Sequence, residues 1–442
     1  MDQQGSAAAA AEAEVATLVA ELIRIDTSNY GNGQGPGEIA AADYCHQRLL
    51  EVGIDAERYT TTADHRAGVI ARIAGRDPSR PALLVHGHLD VVPADADDWQ
   101  VPPFAGEIDS DGMLWGRGAV DMKDMVGMTL AVVRNWARTG VQPDRDIVVL
   151  FVPDEEAGCV QGSSWLVHHR QGMFDGVTEA IGEVGGFSNQ LDGRHSLYPI
   201  MTAEKGIAWI KLTARGQAGH GSLVAVDNAV AKVVAAAARV TEHEYAQELT
   251  PAVQQFLDKI TELTGEPLDL TNGASLRARL GSMGRLVEST VRNTAQLTML
   301  SAGYKHNVIP ADATACIDAR FLPGHELAFL AEIQSLIGGS IGHEMVHHDI
   351  ALEFEFAGPL VDAMSGALLA HDPEAIPVPY LMPGGTDAKA LSLLGIACYG
   401  FSPLRLPPNL DFFGMFHAAN ERVPVTSLQF GVRVLDEFLR KA

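Results

Sequence analysis

The chain has 442 residues, 47% of them hydrophobic and 20% charged, with 44 Gly and 22 Pro; this is the balance of a globular chain of about two domains and excludes a disordered or fibrous protein. A formal net charge of -24 with no Lys/Arg cluster weighs against nucleic acid and membrane as partners, because both present anionic surfaces. Cys45, Cys159, Cys316 and Cys398 lie far apart with no C-x-x-C spacing, which argues against a zinc finger or a disulfide framework and for a reducing compartment.

Residues 1–21 are Ala- and Glu-rich without a basic stretch ahead of an apolar run, so neither a signal peptide nor a spanning helix is expected and the cytoplasm is the default location. Residues 14–25 and 39–52 read as amphipathic helices, and 68–73 and 82–85 as short apolar strands. A helical pattern returns at 125–137, followed by a β-branched run at 146–152 of the kind buried on both faces of a sheet. This alternation predicts an α/β layer. From about residue 202 the order changes to strand 206–213, helix 227–240, strands 294–300 and 314–321, helix 326–337 and strand 350–356, which predicts a separate small α+β domain. Residues 241–288 are more polar, partly helical, and read as an insertion within it. Alternation resumes after Pro359, at 375–381, 387–394 and 395–401, and ends in an amphipathic helix at 425–441. The expected organisation is thus a first domain in two parts, 1–201 and 358–442, interrupted by an inserted domain at 202–357.

Leu84-Val85-His86-Gly87-His88-Leu89-Asp90 puts a His-x-Asp pair beside an apolar strand. His88 is there either a metal ligand, with Asp90 hydrogen-bonding its other ring nitrogen, or a histidine satisfied by a strand-end network. The loop Gly116-Arg117-Gly118-Ala119-Val120-Asp121-Met122-Lys123 leads into a helix, and Asp121 is either its N-cap or a carboxylate whose oxygens reach two ions. Pro153-Asp154-Glu155-Glu156-Ala157-Gly158 is sharper, because three consecutive carboxylates at a buried strand end repel one another unless positive charge is near. A cation supplies it economically, although a solvated acidic turn has the same sequence. On an extended segment, Glu156 can hold an ion while Glu155 faces a reacting water. Glu183 follows another apolar run and His417 precedes the last helix; each alone is as readily structural. Together His88, His417, Asp121, Glu156 and Glu183 are a ligand inventory for two ions. Nitrogen and oxygen donors without sulfur suit Zn2+, with Co2+ or Mn2+ as substitutes.

Taken in order along the chain, these motifs resemble the zinc metallopeptidase family that contains aminoacylase, acetylornithine deacetylase, succinyl-diaminopimelate desuccinylase, carnosinase-type dipeptidases and glutamate carboxypeptidases. The resemblance implies that Asp121 bridges two metal ions, that His88 and Glu183 complete one site and Glu156 and His417 the other, that Glu155 is the catalytic base and that Asp90 orients His88. It implies a mixed-sheet zinc-hydrolase catalytic domain and an inserted ferredoxin-like lid through which two copies form a homodimer. Gly216-Gln217-Ala218-Gly219-His220-Gly221-Ser222 looks like the family loop whose histidine reaches the active site of the partner subunit, which makes His220 the oxyanion donor. His306-Asn307-Val308-Ile309-Pro310, Arg320 and Pro383-Gly384-Gly385-Thr386-Asp387 are similar to substrate-binding pieces. Asn307 and Arg320 suit a carboxylate, although Arg320 suits a lid ion pair equally, and Gly384 and Gly385 can offer backbone N–H groups. Cys159 and Val160 depart from the small residues expected after Glu-Glu-Ala-Gly, and 241–288 is longer than a minimal lid.

The expected activity is metal-dependent hydrolysis of an amide bond in a small carboxylate-bearing substrate, a dipeptide or an N-acyl amino acid, with Glu155 moving the proton and His220 holding the oxyanion. A dinuclear phosphoesterase is the rival enzyme, disfavoured because the spare carboxylate of Glu155 repels a phosphate dianion. A non-catalytic metal-binding relative is the third reading, disfavoured because Glu155 has no use in it.

Overall fold

A computed structural model describes residues 3–281 and 283–442; Met1, Asp2 and Ser282, which fall in the 1–21 and 241–288 stretches read above, lie outside them. The chain divides into two compact units. One comprises residues up to Thr202, Phe354–Pro379 and Thr386–Ala442, the other Ala203–Glu353 and Tyr380–Gly385.

The first unit is built on a mixed sheet whose strands lie in the order Ala56–Thr60, Ala67–Ile73, Ile147–Val152, Ala82–His88, Val177–Gly182, Ala397–Gly400 and His195–Glu204. The four from Ile147–Val152 to Ala397–Gly400 are parallel, and the flanking pairs antiparallel. Ile147–Val152 and Ala82–His88 are buried at every residue, as their apolar runs require. Helix Gln3–Ile23 buries Val15, Leu18, Val19, Leu22 and Ile23, the three-and-four spacing of one helix face. It packs with helices Lys123–Thr139 and Val425–Lys441, the former buried from Lys123 through Trp136. Parallel strands end on one edge of a sheet, and ligands gather there. His88 ends its strand, Asp154 to Glu156 follow Val152, and Glu183 follows Gly182, so all these groups leave the sheet on the same side. A small three-stranded sheet, Glu107–Ile108, Met113–Trp115 and Arg422–Pro424, pairs Trp115 with Arg422, bringing the loop that carries Asp121 beside the segment that carries His417.

The second unit runs strand Gly206–Arg215, helix Ala229–Thr241, strands Thr294–Ala302 and Asp312–Phe321, helix Glu326–Ile337 and strand Gly342–Asp349. The strands lie in the antiparallel order Thr294–Ala302, Asp312–Phe321, Gly206–Arg215, Gly342–Asp349, which is ferredoxin-like. Its core is separate, with Val233, Ala237 and Phe329 of the helices against Ile210, Leu212 and Ile317 of the sheet. The long 241–288 stretch is largely helical, forming Pro251–Thr264, Gly273–Leu280 and Met283–Thr290; Thr250 caps the first of these through Val253 N, with Pro251 in its first turn, a favoured start.

The strand expected at 350–356 is a correction. Only Leu352–Glu353 pairs there, and the fourth lid strand is Gly342–Asp349, largely exposed and rich in His, so it lacks the apolar alternation that marks half-buried strands. Among the described residues no helix is long and apolar enough to cross a membrane, and the four cysteines are free thiols.

Candidate metal centre

Asp121 lies between two imidazoles. Its Oδ1 is 3.0 Å from Nε2 of His88, and its Oδ2 is 3.1 Å from Nε2 of His417. Glu183 Oε2 stands 3.5 Å from the same nitrogen of His88, and Glu156 Oε2 3.2 Å from that of His417. Potential ligand atoms of His88, Asp121 and Glu156 all lie within 4.8 Å of one another, and so do those of His88, Glu155 and Glu183. The five residues singled out as ligands and the adjacent Glu155 are thus brought together. Asp121 is not a helix cap, because the helix Lys123–Thr139 begins from Met122 with no side-chain cap; the Asp121–Met122 peptide is cis.

Two details differ from the expected arrangement. His88 Nδ1 is 2.9 Å from the backbone carbonyl of Asp90, whereas the Asp90 carboxylate is 3.7 Å away, outside hydrogen-bond reach. That carboxylate is drawn elsewhere, accepting from the backbone N–H of Glu155 and of Glu156, both at 3.1 Å, and from Asn29 Nδ2 at 2.8 Å. Asp90 therefore orients His88 through its main chain and the two glutamates through its side chain. Nor is the Asp154 to Glu156 segment extended. Asp154 is in the left-handed region at φ +67°, and a turn, rather than strand alternation, separates the two glutamates.

Asn29, Arg66 and Glu38 complete this support, and sequence reasoning missed all three. The Asn29 amide nitrogen also donates to Asp154 Oδ1 at 3.0 Å, while its oxygen accepts from Arg66 Nη2 at 2.8 Å. Arg66 in turn pairs with Glu38, and all three side chains are buried. Asn29 therefore separates two carboxylates that would otherwise face each other. His86, which also went unread, is a buried neighbour of Asp387 at 3.9 Å; burial and then the charge of His88 lower its pKa to about 4, so its ring is neutral.

The electrostatics fit divalent cations. Burial, followed by the charge of Asp121, raises Glu183 to about 8; Glu156 is raised by the same causes, and Glu155 by burial and Glu183. His417 is raised to about 10 by hydrogen bonds to Asp121 and Glu156. The ion-pair partners of Asp121, Glu156 and Glu183 are these two imidazoles. The three glutamates are pushed upward together, while hydrogen bonds from His417 and His88 outweigh burial and hold Asp121 below the usual carboxylate range; such a buried acidic set calls for positive charge, and its nitrogen and oxygen donors are those of a divalent transition-metal site.

The remaining named residues belong to the second unit. His220, exposed, pairs with Val308 in a two-residue ladder; its Nδ1 is 2.8 Å from Ser222 Oγ and accepts the Ser222 backbone N–H at 3.3 Å. Asn307 is exposed and its carbonyl accepts from Gly221 N. Arg320 is held by Asp318 at two points, 2.7 and 3.0 Å, which is the lid ion pair weighed above. Gly384 and Gly385 lie in the loop after strand Ala375–Met382.

A mixed sheet with a buried His/Asp/Glu cluster at its parallel strand ends, joined in one chain to a ferredoxin-like unit, defines an α/β protein with a candidate divalent-metal centre. Residues 84–441 match Peptidase family M20/M25/M40, and the chain belongs to that family of metallopeptidases. It is 27% identical over 434 residues to aminoacylase-1 of Sus scrofa, covering 96% of this chain and 94% of the relative. Among solved structures it is similar to the di-peptidase Dug1p of Saccharomyces cerevisiae, at 17% identity and TM-score 0.72 over 99% of this chain and 98% of that one. It is also similar to the M20 family metallo-carboxypeptidase Sso-CP2 of Sulfolobus solfataricus, at 18% identity and TM-score 0.73 over 97% and 98%.

Proposed function

We propose that the protein is a dinuclear metal-dependent amidohydrolase that cleaves the amide bond of a small carboxylate-bearing substrate, an N-acyl amino acid or a dipeptide. The observation that carries this reading is the position of Asp121, with one carboxylate oxygen at His88 and the other at His417, while Glu155 stands beside His88 and Glu183. Asp121, His88 and Glu183 would hold one ion, and Asp121, Glu156 and His417 the other, Zn2+ best suiting donors of this kind. Bound there, divalent ions supply Lewis acidity toward a carbonyl and lower the pKa of water. Glu155, outside both ligand sets, takes a proton from water and delivers it to the leaving nitrogen. Asp90 and Asn29 hold the Glu155 turn in place through the hydrogen bonds above.

His220 is the proposed donor to the oxyanion. Accepting the Ser222 N–H at Nδ1 leaves the ring proton on Nε2, the tautomer that a donor requires. Its service to a second copy of the chain, in a homodimer, rests on the family resemblance. Asn307, Arg320, Gly384 and Gly385 are proposed substrate contacts; Arg320 would have to share its guanidinium with Asp318 or exchange partners. The free cysteines support a cytoplasmic location.

Assay of the metal-supplemented protein tests the reading. N-acyl amino acids or dipeptides are expected to be hydrolysed, their C-terminal amides to be poor substrates, and aryl phosphates to be inert. Equal turnover of acid and amide would remove the carboxylate requirement, and phosphate-ester turnover would favour the phosphoesterase.

A further inference from the structure

The two halves of the centre differ in how the fold holds them. His88 is fully buried at the end of a central strand, paired with Val152, and Glu183, also buried, directly follows Gly182, the paired last residue of the neighbouring parallel strand, so the sheet holds His88 itself and the residue next to Glu183. His417 is 58% exposed and lies in an irregular segment between Phe413–Met415 and Arg422–Pro424, in the left-handed region at φ +59°. No helix or strand holds it.

Glu421 and Arg117 tie that segment down. The Glu421 side chain is fully buried; its Oε1 accepts from Arg117 Nη1 at 2.7 Å and its Oε2 from the backbone N–H of Gly118 at 2.5 Å. The Glu421 carbonyl accepts from Gly116 N at 3.0 Å, extending the Trp115–Arg422 ladder by one bond. Arg117 reaches back to the His417 carbonyl at 3.4 Å and lies over the Trp99 ring at 5.3 Å. One buried ion pair thus ties the Asp121 loop to the His417 segment. Removal of either partner leaves the other charge buried and unpaired, which is the costly way to break such a pair.

We infer that the Arg117–Glu421 pair is a positioning device for His417 and that it sets the affinity of the metal site of His417, Asp121 and Glu156 more strongly than that of the site of His88, Asp121 and Glu183, because His417 belongs to the first alone while Asp121 is shared. The inference rests on the dinuclear reading above.

Calorimetric titration of chelator-treated protein with Zn2+ tests it, comparing the parent with Glu421→Gln, alongside thermal melts of the metal-free forms. Gln keeps the shape but loses the charge. The parent is expected to show two binding steps, and the variant to have one step weakened about 10- to 100-fold, the range seen when the groups that support metal ligands are changed, with the other step weakened less. Equal weakening of both steps, or of neither, would overturn the inference while leaving the dinuclear reading intact; absence of binding to the parent would sink both. Should Glu421→Gln not fold, Arg117→Gln carries the same comparison, since it retains the Glu421 bond to Gly118.

Discussion

Glu155 and Glu156 are neighbours in sequence with different surroundings. Glu156 is 3.2 Å from His417 and within the cluster that contains Asp121, whereas Glu155 falls in the cluster of His88 and Glu183. Glu155→Gln preserves size and hydrogen-bonding shape but cannot accept a proton. Steady-state kinetics should show kcat reduced roughly 100- to 10,000-fold with the metal content of the parent; a variant as fast as the parent would remove Glu155 as the base. The acids and imidazoles of this centre were legible because their spacing beside apolar runs is unusual. Asn29, Arg66 and Glu38 were not, because each lies alone in sequence, 88 to 125 residues before Asp154, the first residue of the acidic turn they support. What they do depends on three-dimensional pairing, as with Asn29 Nδ2 between Asp90 and Asp154. The His88–Asp90 relation was legible as a pair of residues but not of atoms. A carboxylate offered two backbone N–H donors and an amide is better satisfied there than at an imidazole that its own carbonyl already holds.

At the level of elements, the strands most clearly readable were those buried on both faces, Ala82–His88 and Ile147–Val152, whose continuous apolar runs leave little choice. His195–Glu204 is longer and nearly as buried, yet it was not anticipated, since Pro199 in mid-run argues against a strand. The helix Met283–Thr290 illustrates a tertiary contribution that sequence conceals. The buried Lys205, between strands His195–Glu204 and Gly206–Arg215 and distant in sequence, donates to the carbonyls of Ser289 and Arg292 at 3.0 and 2.9 Å, where a helix end favours positive charge. Burial lowers the Lys205 pKa from 10.5 to about 7. Between those values the unfolded chain holds a proton that the folded chain has released, so this group's contribution to stability grows as pH rises through that window. The stability of the parent relative to Lys205→Met, from urea unfolding at about pH 7 and about pH 9.5, should therefore shift in the parent's favour at the higher pH. A relative stability that stayed constant or shifted toward the variant would contradict the assignment.

Over the whole molecule, 56 acidic residues against 32 basic ones oppose the approach of any anion. A carboxylate-bearing substrate therefore needs a local source of positive potential, and in the first unit the acidic cluster itself supplies none. Bound divalent ions would both relieve the repulsion among Asp121, Glu156 and Glu183 and reverse the local field. Metal analysis of the fully active protein, before and after exhaustive chelation, measures this directly. Two divalent ions per chain are expected, with activity lost on their removal and regained when Zn2+ is returned. Full activity in a metal-free preparation that is indifferent to chelators would contradict it.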